Sequence, residues 1–212
     1  MEHFVHGLLL WYIGTLEQFG LLGVLVLMAM ESSIFPVPSE LVMPPAAYVE
    51  SHAKGGGVFL TLGVILAGTI GSFLGSAVTY WVSRLVGRPL IVRYGKYLLL
   101  PEHKLRLAER WVARYGAWGI FFARLLPGVR HVNAIPAGLM DLRFLTFSVM
   151  TLLGSLVWCT VLTIFGLCMA KDMAVMVQSR NLDNPDFMHA FHNLTLATVG
   201  MVAVVIILYV VF

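Results

Sequence analysis

The sequence predicts an all-α membrane protein: an inverted repeat of a re-entrant helical hairpin plus a long transmembrane helix, with an additional C-terminal transmembrane helix. Three observations lead to this fold class. The composition is strongly apolar, and two long apolar runs contain no charged residue. Two further apolar segments are broken near their middle by proline and by charged residues.

The composition indicates an integral membrane protein. Hydrophobic residues make up 59% of the 212 residues, charged residues make up 12%, and the mean hydropathy is +0.86. Soluble domains are usually about 45–50% apolar and about 25% charged. No polar stretch is long enough for a soluble domain, so we expect a single transmembrane domain over residues 1–212. The first 14 residues lack the basic start of a secretory signal.

Long apolar runs predict the spans. Residues 58–82 and 144–169 each exceed the roughly 20 residues that cross a hydrocarbon core of about 30 Å. Residues 194–212 predict a third span, whereas residues 4–18 fit either a helix lying on the membrane or the start of a longer span. Small residues three and four apart predict close helix packing in the two long runs. They are Gly63, Ala67, Gly68, Gly71, Ser72, Gly75, Ser76, Thr79, Gly154, Ser155 and Gly166.

Residues 20–49 and 116–142 are apolar but do not resemble simple spans. Each has a short apolar arm, a break, and a second short arm. Ten helical residues reach about 15 Å, which is half a membrane, so each segment predicts a re-entrant hairpin. One kinked span is the alternative. The breaks are Pro36, Pro38, Pro127 and Gly128.

The two halves of the chain resemble each other, over residues 15–90 and 100–170. Each half begins with an aromatic-glycine pair, Phe19-Gly20 or Tyr115-Gly116, and continues with a broken hairpin and one glycine-rich span. A single span between two hairpins places them on opposite sides of the membrane. This order predicts an inverted repeat, an architecture that places transport sites near the bilayer midplane. A chance likeness between glycine-punctuated apolar stretches is the alternative.

The distribution of basic residues predicts the orientation. Eight of the fourteen lysines and arginines fall within residues 84–114, so this loop is expected in the cytoplasm and the loop 171–193 outside. Residues 102–114 predict an amphipathic helix that anchors at the interface. Basic residues beside membrane spans are ordinary, so the charge does not indicate nucleic-acid binding.

Four charged residues within the broken segments are the candidate functional residues: Glu31, Glu40, Arg124 and Arg130. An ionised side chain at a helix centre costs about 2.5–3.5 kcal/mol, so these groups must pair, face water or neutralise. Ion pairs that only lock two hairpins together are the structural alternative. Arginine binds phosphate through two parallel hydrogen bonds, and free N–H groups at a helix start favour anions. The arginines therefore predict a site for a phosphate carried on a lipid, with the two glutamates as proton-coupling or ion-pair residues.

Histidines provide weaker signals. His131 and Asn133 follow Arg130, where His131 could relay protons or be neutral and hydrogen-bonded. His189 and His192 lie near two aspartates, but a solvated loop explains them better than a metal site.

Cys159 and Cys168 are interpreted as packing residues. We expect no cofactor and no metal.

The motifs MESSIFPVPSE (30–40) and FFARLLPGVRHVNAIPAGL (121–139) resemble the DedA family of membrane proteins. The resemblance covers roughly residues 15–170. It implies a bacterial cytoplasmic-membrane lipid transporter, a flippase or scramblase for undecaprenyl phosphate or phospholipids, with coupling to protons or another cation in some members. The family's acidic pair corresponds to Glu31 and Glu40 and its arginine pair to Arg124 and Arg130. Some members carry aspartate where this chain has Ser72 and Ser76, so no carboxylate role transfers there.

Two other functions compete with lipid translocation. A membrane scaffold would need no buried arginines and glutamates. A lipid phosphatase would need a nucleophile with basic partners, and the chain contains neither Lys-x6-Arg-Pro nor Ser-Arg-x5-His. The expectation is therefore a non-enzymatic protein whose partners are membrane lipids, with oligomeric state left open.

Overall fold

The structure is a computed structural model that describes residues 2–33, 39–53, 57–94, 102–126, 133–178 and 192–200, together with residues 55, 130, 189, 190 and 203. Several predicted features lie outside these residues. They are the breaks at Pro36, Pro38, Pro127 and Gly128, the side chain of His131, and most of the predicted third span. The described part of the chain is helical and contains no strand.

Two long apolar helices lie where the sequence predicts membrane spans. Helix α4 runs Gly57–Tyr94 and is helical in backbone as far as a kink at Gly87. Helix α7 runs Phe144–Cys168. The apolar parts, Gly57–Gly87 and Phe144–Cys168, have 31 and 25 residues. At 1.5 Å per residue they measure about 46 and 37 Å, which exceeds a hydrocarbon core of about 30 Å. Within the described residues, these two helices are long and apolar enough to cross a membrane.

The N-terminal third forms three shorter helices. Helix α1 runs Glu2–Phe19, so residues 4–18, for which two placements were open, belong to one helix of 18 residues. Helix α2 runs Leu21–Glu31, and helix α3 runs Ser39–Tyr48 and continues into a π-helical turn, Val49–Ala53. The arms of the first predicted hairpin are thus separate helices.

The second broken segment also divides into two helices. Helix α5 runs Glu102–Leu125 with a left-handed glycine at Gly116 (φ 56°), which separates the predicted amphipathic helix from the first hairpin arm. Helix α6 runs Ala134–Leu139 and has only six residues. The re-entrant course of both segments stays a prediction.

The predicted outer loop 171–193 begins as a helix. Helix α8 runs Ala170–Gln178, and residues 192–200 are helical as well. Met173 of α8 is fully buried against Ile13, Ala190 and Leu194. The polar residues that suggested a loop are therefore compatible with a helix that buries one apolar side.

The chain forms two compact units. The first gathers residues within 1–27, 38–68 and 159–212, and the second gathers residues within 28–37 and 69–158. In the first unit, Gly166 of α7 meets Pro44 of α3: a Cβ at Gly166 would lie 2.5 Å from the Pro44 Cα. Each unit contains one part of α4 and one part of α7. The boundaries of the units therefore differ from those of the predicted repeats, 15–90 and 100–170, and the repeats stay a prediction.

The second unit has an aromatic core beside its polar interior. Tyr80 of α4 stacks on Phe147 of α7 with ring centroids 4.8 Å apart. Ile120, Ala134 and Ala137 complete this buried cluster. The Tyr80 hydroxyl donates to the Leu142 carbonyl at 2.5 Å, which fastens the turn after α6 to α4. These contacts hold α4, α5, α6 and α7 around the charged residues described below.

Candidate functional site

Arg130 and Glu31 form a buried ion pair in the second unit. Glu31 ends α2 and is 1% exposed, and Arg130 is 5% exposed. The Arg130 guanidinium contacts the Glu31 carboxylate through Nη2 and Oε1. Two hydrogen bonds position this pair. The Ser33 hydroxyl donates to the Met30 carbonyl and caps the end of α2, which carries Glu31. The Arg130 N–H donates to the carbonyl of Leu126, the residue after α5. Pairing offsets part of the large cost of removing both charges from water.

Trp158 of α7 also lies against Arg130. The Arg130 guanidinium carbon lies 5.2 Å from the centre of the Trp158 ring. This is cation–π distance, and the attraction grows when the cation is removed from water. Arg130 is therefore held by a carboxylate from one helix and an aromatic face from another.

Arg124 lies in the last turn of α5 and is 3% exposed. Its Nη1 donates to the Ser72 hydroxyl at 3.2 Å, and its Nη2 donates to the Ser76 hydroxyl. The two serines are one turn apart on α4, so both hydroxyls face the same side. A cation in the last turn also interacts favourably with the helix dipole.

Ser72 joins this second arginine to two further helices. Its hydroxyl lies 2.7 Å from the Ser32 hydroxyl, which follows Glu31, and 3.3 Å from the Ser155 hydroxyl of α7. Gly154 allows this approach, because a Cβ there would lie 2.7 Å from the Arg124 Cβ. One hydrogen-bonded network thus connects the end of α2, the middle of α4, the end of α5 and α7.

Hydroxyl groups form the rest of the polar interior. Eight serines and threonines on the two long helices are buried in the second unit: Thr69, Ser72, Ser76, Thr79, Ser83, Ser148, Thr151 and Ser155. Four of them, Ser72, Ser76, Thr79 and Ser155, are among the small residues that the sequence predicts at close helix contacts. Their spacing of three and four residues was visible there, but it does not distinguish packing from a polar lining.

The structure brings together three of the four predicted charged residues. Glu31, Arg124 and Arg130 belong to the second unit, whereas Glu40 is half-buried in the first turn of α3 and belongs to the first unit. Asn133 is buried, and its amide donates to the Ile120 carbonyl at 3.3 Å. Its described contact is therefore with the backbone of α5.

The two remaining candidates, His189 and His192, do not form a metal site with other described residues. His189 and His192 are exposed, and their aspartate neighbours 183 and 186 lie outside the described residues. Among the residues that were placed, no group of three or more histidines, cysteines, aspartates and glutamates could hold a metal ion. The described site consists of guanidinium, carboxylate, hydroxyl and indole groups.

Comparisons with known proteins agree with a membrane function. The profile described as the VTT domain matches residues 44–167. The undecaprenyl phosphate transporter A of Bacillus subtilis is 38% identical over 131 residues, which cover 62% of this chain and 64% of that protein, less than two thirds of its length. The Staphylococcus aureus protein of the same name is 30% identical over 76% of this chain and 80% of its own. An alkaline phosphatase-like protein of Lactococcus lactis is 33% identical over 76% and 75%. No solved structure matches the chain.

Proposed function

Because this chain belongs to the DedA family of VTT-domain membrane proteins, we propose that it moves a phosphate-bearing lipid across the bacterial cytoplasmic membrane as a flippase or scramblase. The lipid is undecaprenyl phosphate or a phospholipid. The observation that carries the proposal is the burial of Arg124 and Arg130 in one polar interior, beside two helices that are long enough to cross a membrane. Relatives named as undecaprenyl phosphate transporters support the phosphate-bearing lipid.

The two arginines suit a phosphate better than lysines would. A guanidinium presents a planar fork of donors that matches two phosphate oxygens, and it stays charged inside the protein. The buried hydroxyls of α4 and α7 add neutral donors and acceptors along the same interior. A head group would cross through this polar lining, whereas its apolar tails would stay in the bilayer. That separation lowers the cost of moving charge through hydrocarbon.

Glu31 gives the proposed transport a route to proton coupling. It forms an ion pair with Arg130, so an arriving phosphate and the Glu31 carboxylate compete for one guanidinium. A glutamate that loses its cationic partner in a buried site gains a proton more readily. Phosphate binding at Arg130 would thus be linked to proton uptake by Glu31. Glu40 is proposed as a second coupling residue because it lies in the first broken segment and corresponds to the family's acidic pair.

The inverted repeat of re-entrant hairpins belongs to the same proposal. It is supported by the two aromatic-glycine pairs, Phe19-Gly20 and Tyr115-Gly116, because their glycines have the same backbone conformation. Both glycines are left-handed, with φ of 55° and 56°. Both pairs precede a short apolar helix, and both short helices lead to a charged residue, Glu31 or Arg124. Alternating access around paired hairpins would expose the arginines to each leaflet in turn.

A transport assay tests the proposed function directly. Purified protein in liposomes should accelerate the movement of a labelled prenyl phosphate or phospholipid between leaflets, compared with protein-free liposomes. Movement of the labelled lipid without release of phosphate is the expected result. Unchanged lipid movement for both lipid classes would overturn the proposal, and would favour a scaffold.

A lipid phosphatase is the second candidate, because a relative is named alkaline phosphatase-like. Such an enzyme would release inorganic phosphate from the same liposomes. Phosphate release by the wild type, lost on replacement of Arg124 or Arg130, would favour this function over transport.

A further inference from the structure

Trp158 has a buried indole N–H that its described surroundings leave unused. The side chain is 4% exposed and lies on α7 in the second unit. No residue that the structure describes accepts a hydrogen bond from its Nε1. A buried tryptophan N–H usually finds an acceptor, so this donor requires an explanation.

The position of Trp158 suggests which acceptor is missing. Its ring lies 5.2 Å from the guanidinium carbon of Arg130. Ser155, about one turn earlier on α7, contacts Ser72, which in turn accepts a hydrogen bond from Arg124. Helix α7 therefore places Trp158 beside Arg130, and through Ser155 it also joins the hydroxyl network that contacts Arg124.

We propose that Trp158 is a further binding residue, whose indole N–H donates to a phosphate oxygen of the transported lipid while its ring supports Arg130. The inference rests on the proposed function and adds a residue to the same site. An indole N–H donates and cannot accept, so it suits an acceptor-rich anion. A phosphate held by Arg130 would bring its remaining oxygens towards the aromatic residue beside that guanidinium.

The first test compares two tryptophan-to-phenylalanine variants. Trp158→Phe keeps an aromatic face for Arg130 and removes the N–H donor. Trp111→Phe is the matched control, because the Trp111 N–H already donates to the Gly119 carbonyl at 3.0 Å. Binding of a short-chain prenyl phosphate in detergent should weaken about tenfold in Trp158→Phe, the usual effect of losing one hydrogen bond to a charged group. It should be unchanged in Trp111→Phe.

The second test keeps Trp158 and does not depend on the folding of a Trp158 variant. The other four tryptophans, Trp11, Trp81, Trp111 and Trp118, are replaced by phenylalanine, so that the fluorescence reports Trp158 alone. Titration with the prenyl phosphate should change the Trp158 emission and reach saturation. Diacylglycerol, which lacks phosphate, and inorganic phosphate, which lacks tails, should leave the emission unchanged at the same concentrations.

The outcomes separate this inference from the proposed function. Tight binding by Trp158→Phe in a protein whose wild type transports would overturn the role of Trp158 and leave lipid transport intact. An emission change with diacylglycerol would also overturn it, and an equal change with inorganic phosphate would overturn the assignment to a lipid. If the wild type neither binds nor moves a phosphate lipid, both proposals fail.

Discussion

At the scale of single residues, the site is defined by how each buried charge is held. Arg130 is paired with Glu31 and stacked near Trp158, and Arg124 is held by the hydroxyls of Ser72 and Ser76. The described contacts of Arg130 are thus with a carboxylate and an indole ring, and those of Arg124 are with two hydroxyls. The two arginines thus have different immediate environments within one interior, and their replacement should have different consequences.

Arg130→Lys tests whether phosphate geometry matters. Lysine keeps the positive charge but loses the planar fork that binds two phosphate oxygens. We expect a folded protein whose lipid movement in liposomes is roughly tenfold slower, because a charged hydrogen bond is lost. Arg110→Lys, at an exposed position of α5, is the control and should transport normally.

Two results would remove support for the phosphate role of Arg130. One is near-normal transport by Arg130→Lys. The other is restored transport when Glu31→Arg is combined with Arg130→Glu, since a reversed pair retains the structural contact and loses the original arginine.

Glu31→Gln tests proton coupling. The amide cannot exchange a proton, so transport driven by a pH gradient should be abolished, whereas Glu31→Asp should retain part of it. The variant also leaves the Arg130 charge buried without its carboxylate, which should lower stability by about 3–5 kcal/mol. Combining it with Arg130→Gln should recover stability, measured by thermal unfolding in detergent, without recovering transport. Full gradient-driven transport by Glu31→Gln would exclude a proton-carrying role.

At the scale of helices, glycine sets the distances on which the site depends. Gly154 of α7 faces the Arg124 Cβ, and Gly75 of α4 faces the Ala29 carbonyl near the end of α2. A side chain at either position would occupy space that another helix uses. Small residues permit close helix contacts in lipid, where the hydrophobic effect does not drive helices together.

Gly154→Ala is therefore expected to be destabilising. Its Cβ would lie 2.7 Å from the Arg124 Cβ and 3.2 Å from the Phe121 carbonyl oxygen. Overpacking of this kind costs about 1–3 kcal/mol, and the resulting shift of Arg124 should slow lipid movement. Gly14→Ala in α1 is the matched control, because nothing lies within 4 Å of its added Cβ and alanine favours a helix. Equal thermal stability of the two variants would contradict the close packing at Gly154.

At the scale of the whole molecule, the predicted topology follows from charge. The basic stretch 84–114 should face the cytoplasm and the stretch 171–193 the outside. Single cysteines at Lys96 and Asp183, in a chain with Cys159 and Cys168 replaced by alanine, should react with a membrane-impermeant maleimide from opposite sides. Both positions lie outside the described residues, so the experiment examines the sequence prediction itself. Labelling from one side only would eliminate the inverted repeat.

Local patterns predicted most of the helices. Long charge-free runs predicted α4 and α7, and the amphipathic stretch 102–114 predicted the first part of α5. The helix α8 was missed, because its residues mix polar and apolar character at a spacing that resembles a loop. Hydropathy is a sum over neighbouring residues, so it identifies membrane helices well and short amphipathic helices poorly.

The amino-acid sequence alone identifies a membrane protein of the DedA family, and it singles out the charged residues of the broken segments as exceptional. Only the folded chain shows how those charges are held: Glu31 pairs with Arg130, and Arg124 donates to serines 52 and 48 residues away in the chain. It also revealed the unused donor of Trp158. These contacts join residues that are far apart in the chain, so they depend on how the helices pack in space. Close packing at glycines such as Gly154 sets that arrangement, and the order of neighbouring residues does not show which helices meet.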